Sequence, residues 1–125
     1  IADYSEAIKL NPGYVEAYNN RGNTMAMLKD YQGAIKEYDK AIELKPKYSI
    51  YNNRGNAKLL LQNYQGAIAD FDETIKLNPY MAKTWHNRGV AKRNLQDYQG
   101  SCNDWYKAAQ LGYTPALKKL QIYCK

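Results

Sequence analysis

The chain has 125 residues and 45% of them are hydrophobic, which is enough apolar content for one folded domain and makes disorder a poor description. Its 18 lysines and arginines exceed its 12 acidic residues, so the net charge of +6 permits acidic partners, although most lysines are expected on solvated helix faces. There is no apolar run of membrane-spanning length, and two cysteines with one histidine are too few for a Cys/His metal cluster. We therefore expect no metal, no cofactor and no membrane partner. The absence of a signal-peptide pattern in this stretch favours a cytoplasmic location.

Two short motifs recur along the chain. The motif Tyr-Asn-Asn-Arg-Gly-Asn at 18–23 returns at 51–56, and a looser copy stands at 85–90. Each copy is followed by a second motif that ends in Tyr-Gln-Gly. The glycines of the first motif, Gly22, Gly55 and Gly89, recur at an almost constant interval. Self-similarity at this period indicates a solenoid built from stacked helical units.

The first segment, 1–13, aligns with 35–47, so that Tyr4 falls on Tyr38 and Pro12 on Pro46. The segment 35–47 is predicted as the second helix of a repeat, because its apolar residues form one stripe and Pro46 ends it. We therefore expect 1–13 to be the second helix of a truncated repeat. A chain that opens inside a repeat is expected to be part of a longer array.

Three repeats follow, at 14–47, 48–80 and 81–113, and the second is one residue short in the turn between repeats. In the first, we predict a helix over about 15–28 and a second helix whose N-cap is Asp30. Asn63 and Asp97 are predicted to cap the equivalent helices. Gly22 costs about 1 kcal/mol in a helix interior, so its recurrence predicts that the backbone of another helix passes too close for a Cβ atom.

The last segment, 114–125, is predicted to be a capping helix, which a solenoid needs at its end. Gly112 can end the preceding helix with a left-handed conformation, and Thr114 can cap the new one. Leu117, Leu120 and Tyr123 are predicted to face the stack.

These positions resemble the tetratricopeptide repeat (TPR) family, whose pattern is an aromatic residue, Gly, Ala, an aromatic residue, Ala and Pro. In the first full repeat the pattern is met by Tyr18, Gly22, Ala34, Tyr38, Ala41 and Pro46. The second repeat meets it with Tyr51, Gly55, Ala67, Phe71 and Pro79, and the third with Trp85, Gly89, Trp105 and Ala108. The resemblance implies an all-α fold, a right-handed superhelical solenoid of antiparallel helix pairs. The segment 107–112 is also similar to the end of a Sel1-like repeat, a close relative.

The chain departs from the family where an arginine stands before each helix glycine, because the family usually has leucine there. The three residues are Arg21, Arg54 and Arg88. Acids recur beside the apolar stripe of the second helices, at Asp3, Glu37, Asp70 and Asp104. We predict that each arginine buries its stem and pairs with one of these acids, which links the helices. A catalytic interpretation of the same pairs is much less favoured.

In this family the first helices of the repeats line the inner, concave wall. The resemblance therefore implies a peptide-binding surface opposite the core, formed by Asn19, Asn20, Asn23, Asn52, Asn53, Asn56, Lys83, His86, Asn87 and Arg93. A carboxamide offers a donor and an acceptor, so a row of them can hold an extended peptide backbone. This wall resembles the asparagine-lined groove of O-linked N-acetylglucosamine transferase arrays. The alternative is that these asparagines only solvate the helix face or bond to one another.

A narrower resemblance is to the carboxylate clamp with which chaperone adaptors hold an acidic C-terminus. Asn23, Asn53 and Lys83 match that clamp by position. Asn19 and Asn87 stand where the clamp has a lysine and an arginine, which removes much of the charge-assisted bonding to a carboxylate. We expect a protein or peptide partner that could be acidic, but chaperone tails are not favoured.

Two other functions stay open. The segment 1–13 and the convex face could mediate self-assembly into oligomers. The positive charge and the 13 tyrosines could serve nucleic-acid binding, but most tyrosines fall at core or turn positions, so nucleic acid is a less favoured partner. Catalysis is not predicted, because His86 has no serine, aspartate or cysteine partner at a recognisable spacing.

The two cysteines are placed symmetrically about a predicted turn. Tyr113 stands midway along the chain between Cys102 and Cys124. In an antiparallel hairpin that turns at Tyr113 the two cysteines would face each other, and Sel1-like arrays often join helices in this way. Two reduced thiols are the alternative, and in a cytosolic protein they are at least as well supported.

Overall fold

The computed structural model describes residues 14–124, which form seven α-helices and no strand. The helices are α1 (Val15–Met27), α2 (Tyr31–Leu44), α3 (Tyr48–Leu60), α4 (Tyr64–Leu77), α5 (Ala82–Asn94), α6 (Tyr98–Gln110) and α7 (Pro115–Tyr123). The expected all-α fold is confirmed. The predicted helix at 1–13 and Asp3 lie outside the described residues. Among the seven helices, none combines the length and the apolar content needed to cross a membrane.

The helices form pairs that stack in chain order. Within each repeat α1 packs on α2, α3 on α4 and α5 on α6, and each pair also packs on the next through the second helix. The first helices α1, α3 and α5 also touch one another in sequence, so they form one wall of the stack. The closing helix α7 packs on α6, where it covers the end of the described core.

Each pair is held at close range by a buried aromatic ring that lies against a helix glycine. The pairs are Gly22 with Tyr38, Gly55 with Phe71, and Gly89 with Trp105. A Cβ atom on these glycines would come within 2.6–2.7 Å of the ring, which is too close for any real side chain. The predicted close approach therefore exists, but the nearest neighbour is the aromatic ring of the partner helix rather than its backbone. At Gly89 the backbone also comes close, because the Ser101 carbonyl oxygen would lie 3.1 Å from a Cβ atom.

The second helices of the three repeats begin at the predicted caps. The side chains of Asp30, Asn63 and Asp97 accept hydrogen bonds from the backbone N–H three residues further on, at 3.0, 3.1 and 2.9 Å. These bonds satisfy one of the N–H groups that a helix start leaves without a partner. The three cap predictions are confirmed.

The turn before α7 matches the prediction only in part. Gly112 has a φ of 99°, which confirms the left-handed conformation at the end of α6. Thr114 occupies the N-cap position of α7 as predicted, but its side chain makes no capping hydrogen bond. Pro115 does occupy the first turn of α7, where its missing N–H costs nothing.

The buried side of α7 differs from the predicted one by one residue. Ala116 is completely buried, whereas Leu117, which was predicted to face the stack, is 51% exposed. Residues 116, 120 and 123 follow the helical spacing of four and three, so Leu120 and Tyr123 lie on the side of Ala116, and Leu117 is turned away by about 100°. The Tyr123 ring contacts the buried Trp105 ring at a centroid distance of 5.7 Å.

A disulfide joins Cys102 in α6 to Cys124 at the end of α7, and the two Cα atoms are 5.8 Å apart. The bond therefore ties the last residue of the described chain to the third repeat. Of the two alternatives, a disulfide or two reduced thiols, the structure contains the disulfide. This bond fixes the C-terminal end of α7 against α6.

Three non-glycine residues, one in each repeat, adopt a left-handed backbone conformation at equivalent positions. Lys29, Gln62 and Gln96 have φ values of 66°, 65° and 68°, in the turn between the two helices of a pair. The left-handed region costs a residue with a Cβ atom on the order of 1 kcal/mol, and glycine avoids this cost.

Gln62→Gly is therefore expected to raise the free energy of unfolding by about 0.5–1 kcal/mol. The control is Ala69→Gly at an exposed position inside α4, which should lower it by about 1 kcal/mol. Urea unfolding followed by circular dichroism measures both. If both substitutions destabilise the protein equally, the strain assigned to the turn is not there.

Candidate functional site

The arginine of each described repeat lies between its helix and a carboxylate of the paired helix. Arg54 donates from Nε and Nη2 to the two carboxylate oxygens of Asp70, at 2.9 and 2.7 Å. Its third group, Nη1, donates to Asp39 of the preceding repeat at 2.8 Å. These hydrogen bonds, that with Asp70 foremost, raise the pKa of Arg54 above its ordinary value. Arg54 thus connects three helices, α2, α3 and α4.

The third repeat has the same arrangement of one arginine and two carboxylates, and in the first repeat the arginine also pairs with the acid of its own second helix. Arg88 donates twice to Asp104, at 2.9 and 2.7 Å, and once to Asp72 at 2.8 Å. In the first repeat Arg21 Nε donates to Glu37 at 2.6 Å. The structure therefore brings together the predicted partners among the described residues. These pairs are built into the packed side, away from the wall formed by α1, α3 and α5.

Two further sets of partners were missed by sequence reasoning. Asp39 and Asp72 each accept from the arginine of the following repeat, and they occupy equivalent positions two residues after the predicted acids. Lys58 also reaches Asp70, at 3.1 Å, and Lys92 is its counterpart at Asp104. The signal in the sequence was the recurrence of an acid and a lysine at the same repeat positions.

Arg54→Met is expected to lower the free energy of unfolding by about 2–4 kcal/mol, because it leaves the buried Asp70 carboxylate with Lys58 alone. The double variant Arg54→Met/Asp70→Leu should recover most of that loss, since it removes both charges. Urea unfolding measures both. A single variant as stable as the wild type would show that the pair does not stabilise the stack.

Two residues that were predicted to line the open wall are buried instead. Asn19 is 9% exposed and His86 is 8% exposed. The side-chain oxygen of Asn19 accepts a hydrogen bond from Asn53 of the next repeat, at 3.1 Å. The His86 ring packs edge-on against Tyr113, with the ring centroids 4.9 Å apart. Both predictions placed these side chains at a free surface, and the packing of the neighbouring helix covers them.

Several asparagines of the wall bond to other side chains of the stack, as the alternative interpretation held. Besides the bond from Asn53 to Asn19, Asn87 donates to Asn56 across the repeat boundary at 3.1 Å. Asn52 accepts from the Thr84 hydroxyl at 2.7 Å, and Asn23 accepts from the buried Tyr38 hydroxyl at 2.6 Å. Burial raises the pKa of Tyr38 to about 12, so this hydroxyl stays a donor at any physiological pH.

These bonds use only part of the hydrogen-bonding capacity of each carboxamide. Asn53 and Asn87 each donate one N–H, and within residues 14–124 their side-chain oxygens accept nothing. Asn23 and Asn56 accept with their oxygens and keep their amide N–H groups. A carboxamide has two donors and one acceptor oxygen, so each of these four can still bond to a ligand. Asn20 is half-buried on α1.

Five of the remaining wall residues line two adjoining depressions between the first helices, whereas Asn20 and Asn52 line neither. One, of about 280 Å³, lies between α1 and α3 and includes Asn23, Asn53 and Asn56. The other, of about 370 Å³, lies between α3 and α5 and includes Asn56, Lys83 and Asn87. Asn56 lines both, so together they form one groove, which we call the asparagine groove. Arg93 lies further along α5, in a third depression.

His86 occupies a buried site that disfavours its charged form. Burial is the first cause that lowers the pKa of His86, and the positive charges of Lys119 and Lys83 lower it further. Its Nδ1 atom is buried and has no hydrogen-bond partner within the described residues. The neutral imidazole is therefore the favoured form in the folded protein.

Because the folded pKa of His86 lies below the unfolded value of about 6.5, the unfolded state takes up the proton first. Stability should therefore fall as the pH drops below 6.5, by at most about 1.4 kcal/mol for each pH unit. His86→Asn introduces the asparagine that stands at the equivalent positions 19 and 52. This variant should lose the part of the pH dependence that comes from His86. Urea unfolding at pH 7.5 and 5.5 measures the difference, and the imidazole signal of the single histidine reports the pKa directly. A titration midpoint at or above 6.5 would contradict the assignment.

The stacked helix pairs and the groove along their first helices define a helical-repeat scaffold. Tetratricopeptide repeat family models match residues 15–48 and 48–81, which together exceed half of the chain. The chain belongs to the tetratricopeptide repeat family. Protein–protein interaction is therefore its class of function, and arrays of this family are typically not enzymes. The Sel1-like end at 107–112 stays a prediction.

The comparisons with individual proteins agree with this fold. A relative, RNA polymerase II-associated protein 3 of Xenopus tropicalis, is 46% identical over 43 residues, which are 34% of this chain and only 6% of that protein. The TPR domain of Arabidopsis OM64 superposes with a TM-score of 0.80 at 26% identity, and covers 86% of this chain and 93% of its own.

Two further solved structures are similar in fold. The first TPR domain of Spaghetti (RPAP3), bound to the HSP90 peptide SRMEEVD, has a TM-score of 0.79 at 24% identity and covers 86% of this chain and 90% of its own. MamA has a TM-score of 0.84 at 21% identity and covers 87% of this chain. The present chain corresponds to 64% of the MamA chain, so it spans less than two thirds of that protein.

Proposed function

We propose that the chain binds an extended segment of a partner protein in the asparagine groove, chiefly through the peptide backbone. The observation that carries the proposal is the set of carboxamides that line the groove with bonding capacity left over. Asn53 and Asn87 offer acceptor oxygens, while Asn23 and Asn56 offer N–H donors. An extended peptide presents the complementary C=O and N–H groups along its length whatever its side chains are.

The bonds between asparagines of successive repeats favour this use of the groove. The Asn53–Asn19 and Asn87–Asn56 bonds fix two carboxamides before a ligand arrives. A side chain that is already ordered loses less conformational entropy on binding, so its hydrogen bonds contribute more to affinity. The bonding between asparagines and the binding of a peptide are therefore compatible.

A chaperone-type carboxylate clamp is a weaker candidate for this chain. The neighbour from Spaghetti is bound to the peptide SRMEEVD. Here the clamp positions carry Asn23, Asn53 and Lys83, but Asn19 is buried against Asn53 and Asn87 is uncharged. Only one cation, Lys83, remains in that arrangement, so the clamp loses most of its charge-assisted bonds.

The test uses dodecapeptides selected from a random phage-displayed library on the wild-type protein, with affinities measured by fluorescence polarisation. Asn53→Ala/Asn56→Ala/Asn87→Ala should weaken the binding of selected peptides at least about tenfold, because each lost hydrogen bond contributes about 1 kcal/mol. Melting by circular dichroism confirms that the variant is folded.

The matched control changes three exposed residues of the second helices, Lys36, Glu73 and Asn103, to alanine. It should leave affinity within about twofold of the wild type. Equal losses in the two triple variants, or a library that yields no peptide specific for the protein, would refute the peptide-groove proposal.

A further inference from the structure

A third depression, of about 400 Å³, continues the row at the C-terminal end of the wall. It is the same inter-repeat depression as the one between α1 and α3, displaced by two repeats. Arg93 is the counterpart of Ala26 two repeats earlier, and Trp105 is the counterpart of Tyr38, and all four residues line their respective depressions. The capping helix α7 occupies the place that the next repeat's first helix would take. The depression between α1 and α3 and the third depression are thus formed by equivalent positions of the repeat, but different side chains line them.

The charge of the three depressions rises along the stack. The residues that line the depression between α1 and α3 are all uncharged, and those of the second include one cation, Lys83. The third is lined by two cations, Arg93 and Lys119, and by no acid. A ligand that extends along the wall therefore meets amides at one end and positive charge at the other.

Aromatic rings hold the two cations of the third depression. The Arg93 guanidinium carbon is 3.9 Å from the centroid of the Tyr123 ring and 5.0 Å from that of Tyr98. The Lys119 ammonium is 5.6 Å from the Tyr123 centroid and 5.9 Å from that of Trp105. Both cations therefore lie around one ring, that of Tyr123. We call Arg93, Lys119 and these three rings the cation–aromatic pocket.

Neither cation is neutralised within the part of the chain that the structure describes. Arg54 and Arg88, by contrast, each contact two carboxylates. For Arg93 and Lys119, no described carboxylate lies within 4.0 Å. A guanidinium that stacks on an aromatic ring keeps its in-plane N–H groups free, and these match a carboxylate in a bidentate geometry.

We propose that the cation–aromatic pocket binds a carboxylate side chain of the peptide that lies in the asparagine groove, and that this contact sets which end of the peptide lies at α7. Arg93 supplies the bidentate donors and Lys119 a second positive charge. The methylene groups of an aspartate or glutamate pack on the Tyr98 and Tyr123 rings. The inference rests on the proposed function, since it assigns a further residue of the same ligand.

The disulfide prepares this pocket for binding. Cys124 follows Tyr123 directly and is bonded to Cys102 of α6, so α7 cannot swing away from the third repeat. Tyr123 and Lys119, the two pocket residues from α7, are thereby held close to Arg93 of α5. A pocket that is assembled before the ligand arrives loses less free energy to ordering.

The test compares each selected dodecapeptide with a copy in which every Asp and Glu is replaced by Asn and Gln. The wild-type protein should bind the acidic peptide about tenfold more tightly at low salt, and the ratio should fall as salt rises. Arg93→Gln/Lys119→Gln should bring this ratio close to one. The control Lys36→Gln/Lys118→Gln removes the same charge from exposed positions and should keep the ratio.

The orientation is read by photo-crosslinking. A benzophenone residue at the acidic end of the peptide should attach to 115–123, and one at the opposite end should attach to 15–27. Crosslinks in the reverse order, or an unchanged acidic preference in Arg93→Gln/Lys119→Gln, would overturn the inference.

The inference and the proposed function fail in different ways. If peptide binding depends on the asparagines but not on acidic residues of the peptide, the role proposed for the cation–aromatic pocket is refuted and the asparagine groove remains supported. Displacement of the peptides by an oligouridylate whose own binding requires Arg93 and Lys119 would overturn the inference in favour of a nucleic-acid ligand.

Discussion

The structure depends on the contact between a helix glycine and a buried aromatic ring. Gly55 receives the Phe71 ring at a distance that no Cβ atom would permit, and this fixes how closely α3 and α4 approach and in which register. Arg54 directly precedes the glycine, and Asp70 directly precedes the ring. The same docking therefore places guanidinium and carboxylate opposite each other, and a packing contact and an ion pair share one register. This explains why an arginine is tolerated where an apolar residue would ordinarily stand.

The register of the pairs also decides what the outer side of the first helices can do. With arginine and glycine turned to the core, the asparagines that flank them face the neighbouring repeat and the groove. Repetition produces a row of similar concavities, and substitution within the repeat changes their chemistry from amide to cation. Arg93 is such a substitution, because the equivalent positions of the first two repeats carry Ala26 and Leu59, and Lys119 is added by the capping helix α7. A solenoid can in this way carry one geometry and several binding specificities.

Features that depend on a short stretch of chain could be predicted from the sequence. The cap at Asp30 and the pairing of Arg54 with Asp70 follow from local spacing repeated at a fixed period, and the structure contains both. The burial of Asn19 and His86 could not be predicted, because it depends on the rotation between successive repeats, which helical periodicity does not specify. The prediction for Leu117 was wrong for a related reason, because the turn before α7 decides which side of this helix faces the stack.

NMR of the side-chain amides shows where a ligand lies, and we expect it along the wall formed by α1, α3 and α5. Titration of ¹⁵N-labelled protein with a selected dodecapeptide should shift the Nδ2 signals of Asn53 and Asn87, and leave that of Asn103 on α6 in place. Shifts confined to Asn103 and the backbone amides of α2, α4 and α6 would instead put the ligand on the opposite face of the stack and would contradict binding in the asparagine groove.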